Sequence, residues 1–178
     1  VNSGIIAADA GFLFKALRKV GNDNAKGEFY LTDIVTIALR EGVSVIAHRC
    51  EPAEDFLGIN TRVDLARVAE LMRERINKRH QLAGVGILDF RNTAIDEGVR
   101  IGVDTVVMPQ VALRGATRVG SDCVIENGAI LTDVILGDHV HVKAYSVLEG
   151  CRVDNGAIVG PFARLRPGSR VGSDARVG

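Results

Sequence analysis

Four histidines and three cysteines are the side chains most able to hold a metal or act as base or nucleophile, and their placement argues for neither role. His48 and His80 stand alone. His139 and His141 lie two apart in a strand-like stretch, so they are expected on one face, as solvent-facing polar residues. A zinc site needs a third ligand, and no third histidine falls on a neighbouring stretch. Cys50, Cys123 and Cys151 are odd in number and far apart, matching no zinc spacing and no disulfide framework. Such usage fits a reducing, cytoplasmic setting. A triphosphate needs a glycine-rich basic cradle, and Gly84-Val-Gly86 is too short to be one. Arg164 and Arg166 lie two apart in Arg-Leu-Arg-Pro-Gly and therefore on one side of an extended strand. The 178 residues carry 22 basic and 22 acidic side chains. That balance gives no general electrostatic case for nucleic acid or anionic membrane, local basic patches aside.

The element that would position those arginines is a long internal repeat. Aliphatic residues recur every sixth position at Ile95, Ile101, Val107, Leu113, Val119, Ile125 and Leu131. The register slips by one and resumes at Leu136, Val142 and Leu148, then slips again and continues from Val153 through Val177. Four residues after most of these stands a small or β-branched residue, among them Thr105, Thr117, Cys123, Ala129 and Ser146; Ile135 and Arg152 are misfits in the two short units. One large and one small inward residue make one flat side of a coil and its corner. Three sides close a triangular turn, and stacked turns bury a common core. A parallel β-helix is expected, with Cys123 in its core.

The front of the chain has a mixed α/β rhythm. Ser3 to Ala8 and Val43 to Ala47 read as strands. Asp9 is expected to cap a helix from Ala10 to Val20, and Thr32 or Asp33 a second helix through Arg40, ended by Gly42. Thr61 is expected to cap a long helix from about Arg62 to Leu82, with Leu65, Val68, Met72 and Ile76 as its apolar stripe. The expected division is 1–61, a helical arm 62–90, and the β-helix 91–178. No run of about 18 apolar residues suggests a membrane span. The chain opens without methionine and stops one residue into a new repeat unit, so a piece of a longer chain is expected.

The repeat pattern (L/I/V)-G-x-x-(S/T/A/V)-x resembles that of the hexapeptide acyltransferases, which implies a left-handed helix. Three front motifs, Val1-Asn-Ser-Gly4, Gly27-Glu-Phe-Tyr-Leu-Thr-Asp33 and Gly58-Ile-Asn-Thr-Arg62, resemble the end of an α/β (Rossmann-like) uridyltransferase domain. The run Gly160-Pro-Phe-Ala-Arg-Leu-Arg-Pro-Gly168 is similar to a signature of the same family. That family is the bifunctional N-acetylglucosamine-1-phosphate uridyltransferases and glucosamine-1-phosphate N-acetyltransferases. The resemblance implies synthesis of UDP-N-acetylglucosamine for the bacterial cell wall. Acetyl-CoA would acetylate glucosamine-1-phosphate, and UTP would then uridylate N-acetylglucosamine-1-phosphate. It further implies that Asn2 contacts the sugar-nucleotide product, that Asn60 coordinates Mg²⁺ and touches the nucleotide, and that Glu28, Tyr30 and Thr32 line the sugar pocket. Thr32 could equally be only a cap, and Tyr30 only core. Arg166 would bind the sugar phosphate, with Arg164 assisting. The general-base histidine is expected beyond Gly178 and the metal-binding aspartate upstream of Val1, so this stretch alone is expected to lack both complete sites. A cytoplasmic homotrimer without nucleic-acid or integral membrane contact is also implied. The γ-class carbonic anhydrases, also left-handed β-helices, use three histidines, whereas one coil here carries two. A nucleotidyltransferase for another sugar phosphate, or a non-enzymatic trimerisation module, would account for the same motifs.

Overall fold

A computed structural model describes residues 4–178. Asn2 lies outside the described residues. The chain forms two compact units that divide between Asp64 and Leu65.

In the first unit, α1 (Ala10–Leu17) starts where expected, because the Asp9 carboxylate accepts the Phe12 N–H at 2.8 Å. It ends three residues earlier than the apolar pattern suggests. The second helix, α2 (Asp33–Arg40), closes as Gly42 turns into the left-handed region (φ +71°) and the Val43 N–H bonds back to the Ala38 carbonyl at 2.9 Å. The α1–α2 contact buries Ala16, Ile34 and Ala38, and Lys19 pairs with Glu41. The two expected strands are absent among the described residues: 4–8 and 43–47 carry no ladder. An apolar sequence favours extension, but a strand also needs a ladder with a second strand, and no such ladder is formed at either segment. Ile5 and Ile46 are accordingly exposed.

The second unit is a triangular parallel β-solenoid of left-handed type, of about five turns. Its first sheet stacks Gly86–Ile87, Val106–Val107, Val124–Ile125, His141–Val142, Ile158–Val159 and Arg176–Val177. The second stacks Ala94–Ile95, Ala112–Arg114, Ile130–Thr132, Val147–Glu149 and Arg164–Leu165. The third stacks Arg100–Ile101, Arg118–Val119, Ile135–Leu136, Arg152–Val153 and Arg170–Val171. Every pairing is parallel, and the sixfold aliphatic residues are partners in register, as in Leu113 with Leu131 and Leu148 with Leu165. They form one continuous buried column.

The two misfits have a simple cause. In the short units the small inward slot moves one residue earlier, to Val134 and Cys151, both buried, so Ile135 and Arg152 face outward. Cys123 is fully buried in the core, as expected, and burial pushes its thiol up. Corners repeatedly use αL residues: Asp104, Asp122, Asp133 and Asp174 all have φ near +55 to +60°. Aspartate tolerates that geometry, and its carboxylate can also take an N–H from the adjoining coil, as Asp133 does from Ala116 at 2.8 Å.

Helix α3 (Arg62–Leu82) spans the expected range. Its start is a reciprocal cap: Thr61 Oγ1 accepts the Asp64 N–H, while Asp64 Oδ2 accepts the Thr61 N–H at 2.8 Å. The buried face differs from the apolar stripe. Leu65 and Met72 are exposed, and the residues sealed against the first coil are Ile76, Asn77 and His80. Asn77 Nδ2 donates to the carbonyls of Phe90 (2.9 Å) and Thr93 (3.0 Å), pinning the helix over the open end of the solenoid core. No helix among the described residues is long and apolar enough to cross a membrane.

The seam carries a pH dependence. His80 is 6% exposed, and its Nε2 has no partner. Burial lowers its pKa below the usual 6.5; Arg79 lowers it further and Glu97 partly opposes them. The unfolded state therefore takes up the proton more readily. The stabilisation is complete above about pH 6.5 and is lost as pH falls below it. Melting temperature should drop between pH 7.5 and 5.5, and His80→Gln should shrink that drop. An unchanged drop in the variant would show that His80 is not its source.

Candidate functional site

The strand Arg164–Leu165 follows the corner at Gly160–Ala163. Ala163 and Leu165 point into the core, so Arg164 and Arg166 both face outward on the second sheet. Parallel register places Arg164 beside Val147 and Leu165 beside Leu148, so Arg166 lies level with Glu149. Glu149 reaches the first arginine instead: its Oε2 lies 3.8 Å from Arg164 Nη2. Arg166 is exposed, and no side chain among the described residues pairs with its guanidinium. The backbone beyond it is fixed. Gly168 takes φ +83°, its N–H bonds to the Gly150 carbonyl at 2.9 Å, and the Arg166 carbonyl accepts the Ser169 N–H at 3.0 Å. On the preceding corner Phe162 stacks on Tyr145, with centroids 5.5 Å apart and planes 12° from parallel. The arrangement offers one free guanidinium beside one half-neutralised one, which is chemistry for holding a phosphate. No histidine follows His141, so the chain places no imidazole base on this sheet's last coils.

The histidine pair differs from expectation. His139 sits on a corner with φ +58°, so strand alternation does not extend to it. It approaches Asp122 at 4.0 Å, whereas His141 Nε2 lies 2.6 Å from Glu126 Oε1. Burial pushes the Glu126 carboxyl up, but the contact with His141 and the N–H of Ala144 outweigh it and hold it below the usual range. Neither the Glu126–His141 pair nor the polar seam at Asn77 and His80 is visible as a motif. The only signal for the seam is two polar residues, three apart, beside Ile76.

The front candidates lie in the first unit. Glu28 and Tyr30 precede α2, and Asn24 Nδ2 donates to the Glu28 carbonyl at 2.5 Å. Tyr30 is 37% exposed and is not core. Thr32 occupies the N-cap position of α2, but its hydroxyl makes no capping bond. Asn60 leads into α3; its N–H binds Asp64 Oδ2 at 3.2 Å, and its carboxamide stays exposed. No hydrogen bond or ion pair joins Glu28, Tyr30, Thr32 and Asn60 among the described residues. An apolar cleft of about 640 Å³, walled by Ile5, Phe12, Ile34, Val45 and Ile46, includes none of them. For Mg²⁺ the donor set does not suffice. Asn60 offers one neutral oxygen, the Asp64 oxygen nearest it already accepts three hydrogen bonds, and no group of three acidic, histidine or cysteine side chains among the described residues could hold a metal.

No family model matches the chain. Curated relatives do, along its whole length. The protein called bifunctional protein GlmU from Pelobacter propionicus is 41% identical over 178 residues, covering all of this chain and 39% of that one. The protein of the same name from Anaeromyxobacter sp. strain Fw109-5 is 48% identical and 36% covered. That from Geobacter sulfurreducens is 42% identical over 195 residues and 41% covered. The chain thus spans about two fifths of the length of these relatives. Among solved structures, serine acetyltransferase isoform 3 from Entamoeba histolytica, in complex with cysteine, is 14% identical with a TM-score of 0.43; it covers 94% of this chain and 56% of that one. PerB from Caulobacter crescentus, in complex with CoA and GDP-perosamine, is 21% identical with a TM-score of 0.30, over 62% of this chain and 61% of that one. Both are too distant to bear on function.

Proposed function

Because this chain is homologous along its whole length to the proteins named bifunctional protein GlmU, we propose that it is a stretch of an enzyme that makes UDP-N-acetylglucosamine in two steps. Acetyl-CoA acetylates glucosamine-1-phosphate on the β-solenoid half. UTP then uridylates N-acetylglucosamine-1-phosphate on a nucleotidyltransferase half, of which residues 1–61 are the Rossmann-like end, 62–90 the arm and 91–178 the start of the acetyltransferase. The enzyme would act as a cytoplasmic homotrimer. The observation that carries the acetyltransferase assignment is Arg166, held outward on a rigid coil with its guanidinium unpaired.

In this reading Arg166 grips the sugar phosphate bidentately, and Arg164, already leaning on Glu149, adds charge. Asn2, Glu28, Tyr30 and Thr32 contact the sugar nucleotide. Asn60 would offer one oxygen toward Mg²⁺, and a carboxylate from outside these residues would be needed to complete the site. The general base for acetyl transfer also lies outside them, so the 178 residues by themselves are expected to catalyse neither step. Arg166→Lys, made in a chain of the relatives' length, keeps the charge and removes the fork. Losing one charge-assisted bond costs about 2 kcal/mol, or roughly 30-fold. Initial acetylation rates should show KM for glucosamine-1-phosphate raised by about that factor. An unchanged KM would remove Arg166 from the site.

A further inference from the structure

The three faces of the solenoid differ in what they present outward. On the first two sheets the outward residues paired across coils include Val106, Val124 and Ile158, and Ala112, Ile130 and Val147. The third sheet presents Arg100, Arg118, Ile135, Arg152 and Arg170, each in register with the next. Adjacent coils stand about 4.8 Å apart, so four arginines lie in single file along about 19 Å. Like charges in direct register repel, and the fold compensates only one of them: Arg152 is held by Asp154 at 2.9 Å. Arg100, Arg118 and Arg170 are exposed and form no ion pair among the described residues. Flanking outward positions are glycine at Gly102, Gly120, Gly137 and Gly172, and the fifth, Asp154, holds Arg152.

One end of the file opens on a cleft of about 430 Å³ lined by Arg79, His80, Glu97 and Arg100. Glu97 neutralises Arg79, leaving Arg100 as the uncompensated charge there. His80 is more than nine-tenths buried, and its Nε2 has no partner. A file with three uncompensated guanidinium groups, Arg100, Arg118 and Arg170, interrupted by Ile135 and the paired Arg152 and ending in a cleft with an unsatisfied polar side chain, is a surface suited to an anionic occupant.

We propose that this face binds a linear phosphate polymer laid along the solenoid axis, with its end in the cleft beside Arg79 and Arg100. Single-file charge suits an extended chain rather than a flat sheet of charge, and the guanidinium fork matches phosphate better than a lone carboxylate geometry does. This surface lies on a different sheet from Arg164 and Arg166 and does not depend on their role.

The test is binding of inorganic polyphosphate to the protein across a salt series. Three uncompensated contacts predict a slope of log affinity on log salt of about −2, using the value for single-stranded polyanions. Arg118→Gln with Arg170→Gln should flatten that slope by about 1.4 and weaken binding at least tenfold at low salt. The charge-matched pair Arg114→Gln with Arg176→Gln, on the other two sheets, should leave both unchanged. Circular dichroism checks that all variants fold. No binding at low salt, equal losses in the two double variants, or equally tight binding of poly-glutamate of matched charge would each overturn the proposal.

Discussion

Gly120→Ala should cost the solenoid about 3 kcal/mol or more, whereas Gly172→Ala, one residue past the same repeat position, should cost almost nothing. Neither glycine is needed for a left-handed φ; the difference is space. A Cβ on Gly120 would lie 2.4 Å from the Gly137 carbonyl oxygen and 2.5 Å from its carbon, both backbone atoms of the next coil. That coil is fixed by its own ladder, with the Gly120 N–H bonded to the Leu136 carbonyl at 3.1 Å and the Gly137 N–H to the Val153 carbonyl at 2.8 Å. The stack would have to part, and overpacking against backbone falls at the costly end of its range. A Cβ on Gly172 meets nothing within 4 Å. Urea unfolding of both variants checks this; equal midpoints would mean that the coils do not pack as described.

The second large effect is at Asn77. Asn77→Ala strips a side-chain donor from the Phe90 and Thr93 carbonyls at a fully buried position. Unsatisfied buried acceptors cost about 1–3 kcal/mol each. We expect a loss of about 3 kcal/mol, concentrated at the seam. Amide exchange in residues 73–82 should accelerate by about a hundredfold, while exchange in the coils beyond Val119 changes little. Thr93→Val supplies the contrast. The Thr93 hydroxyl is buried without a partner, so replacing it with a methyl should be neutral or stabilising. If Thr93→Val destabilised as much as Asn77→Ala, the hydroxyl would have a role that its environment does not indicate.

The period of six was legible because it follows from two local facts, strand alternation and a side of fixed length. Both act on single residues, so Leu113, Leu131 and Leu148 could be assigned inward from their spacing. The shift of the small slot to Val134 and Cys151 was not legible as such, because a coil one residue shorter is closed by its neighbours. Corners defeat alternation, which is why His139 leaves the face of His141. The outward direction of Arg164 and Arg166 could be read locally, but the Glu149 partner is fifteen residues from Arg164 and depends on register between coils. The seam was hidden for a different reason. Polar residues are ordinarily assigned to solvent, whereas Asn77 is buried because it satisfies the loop carbonyls that close the first coil. The absent strands at 4–8 and 43–47 show the same limit: an apolar run favours an extended backbone and leaves the pairing partner undetermined.

The most direct measurement is acetyl transfer from acetyl-CoA to glucosamine-1-phosphate by a chain of the relatives' full length. The account predicts N-acetylglucosamine-1-phosphate as product, and UDP-N-acetylglucosamine once UTP and Mg²⁺ are added. A protein that folds and assembles yet acetylates no amino-sugar phosphate would contradict it, leaving the solenoid as an assembly module.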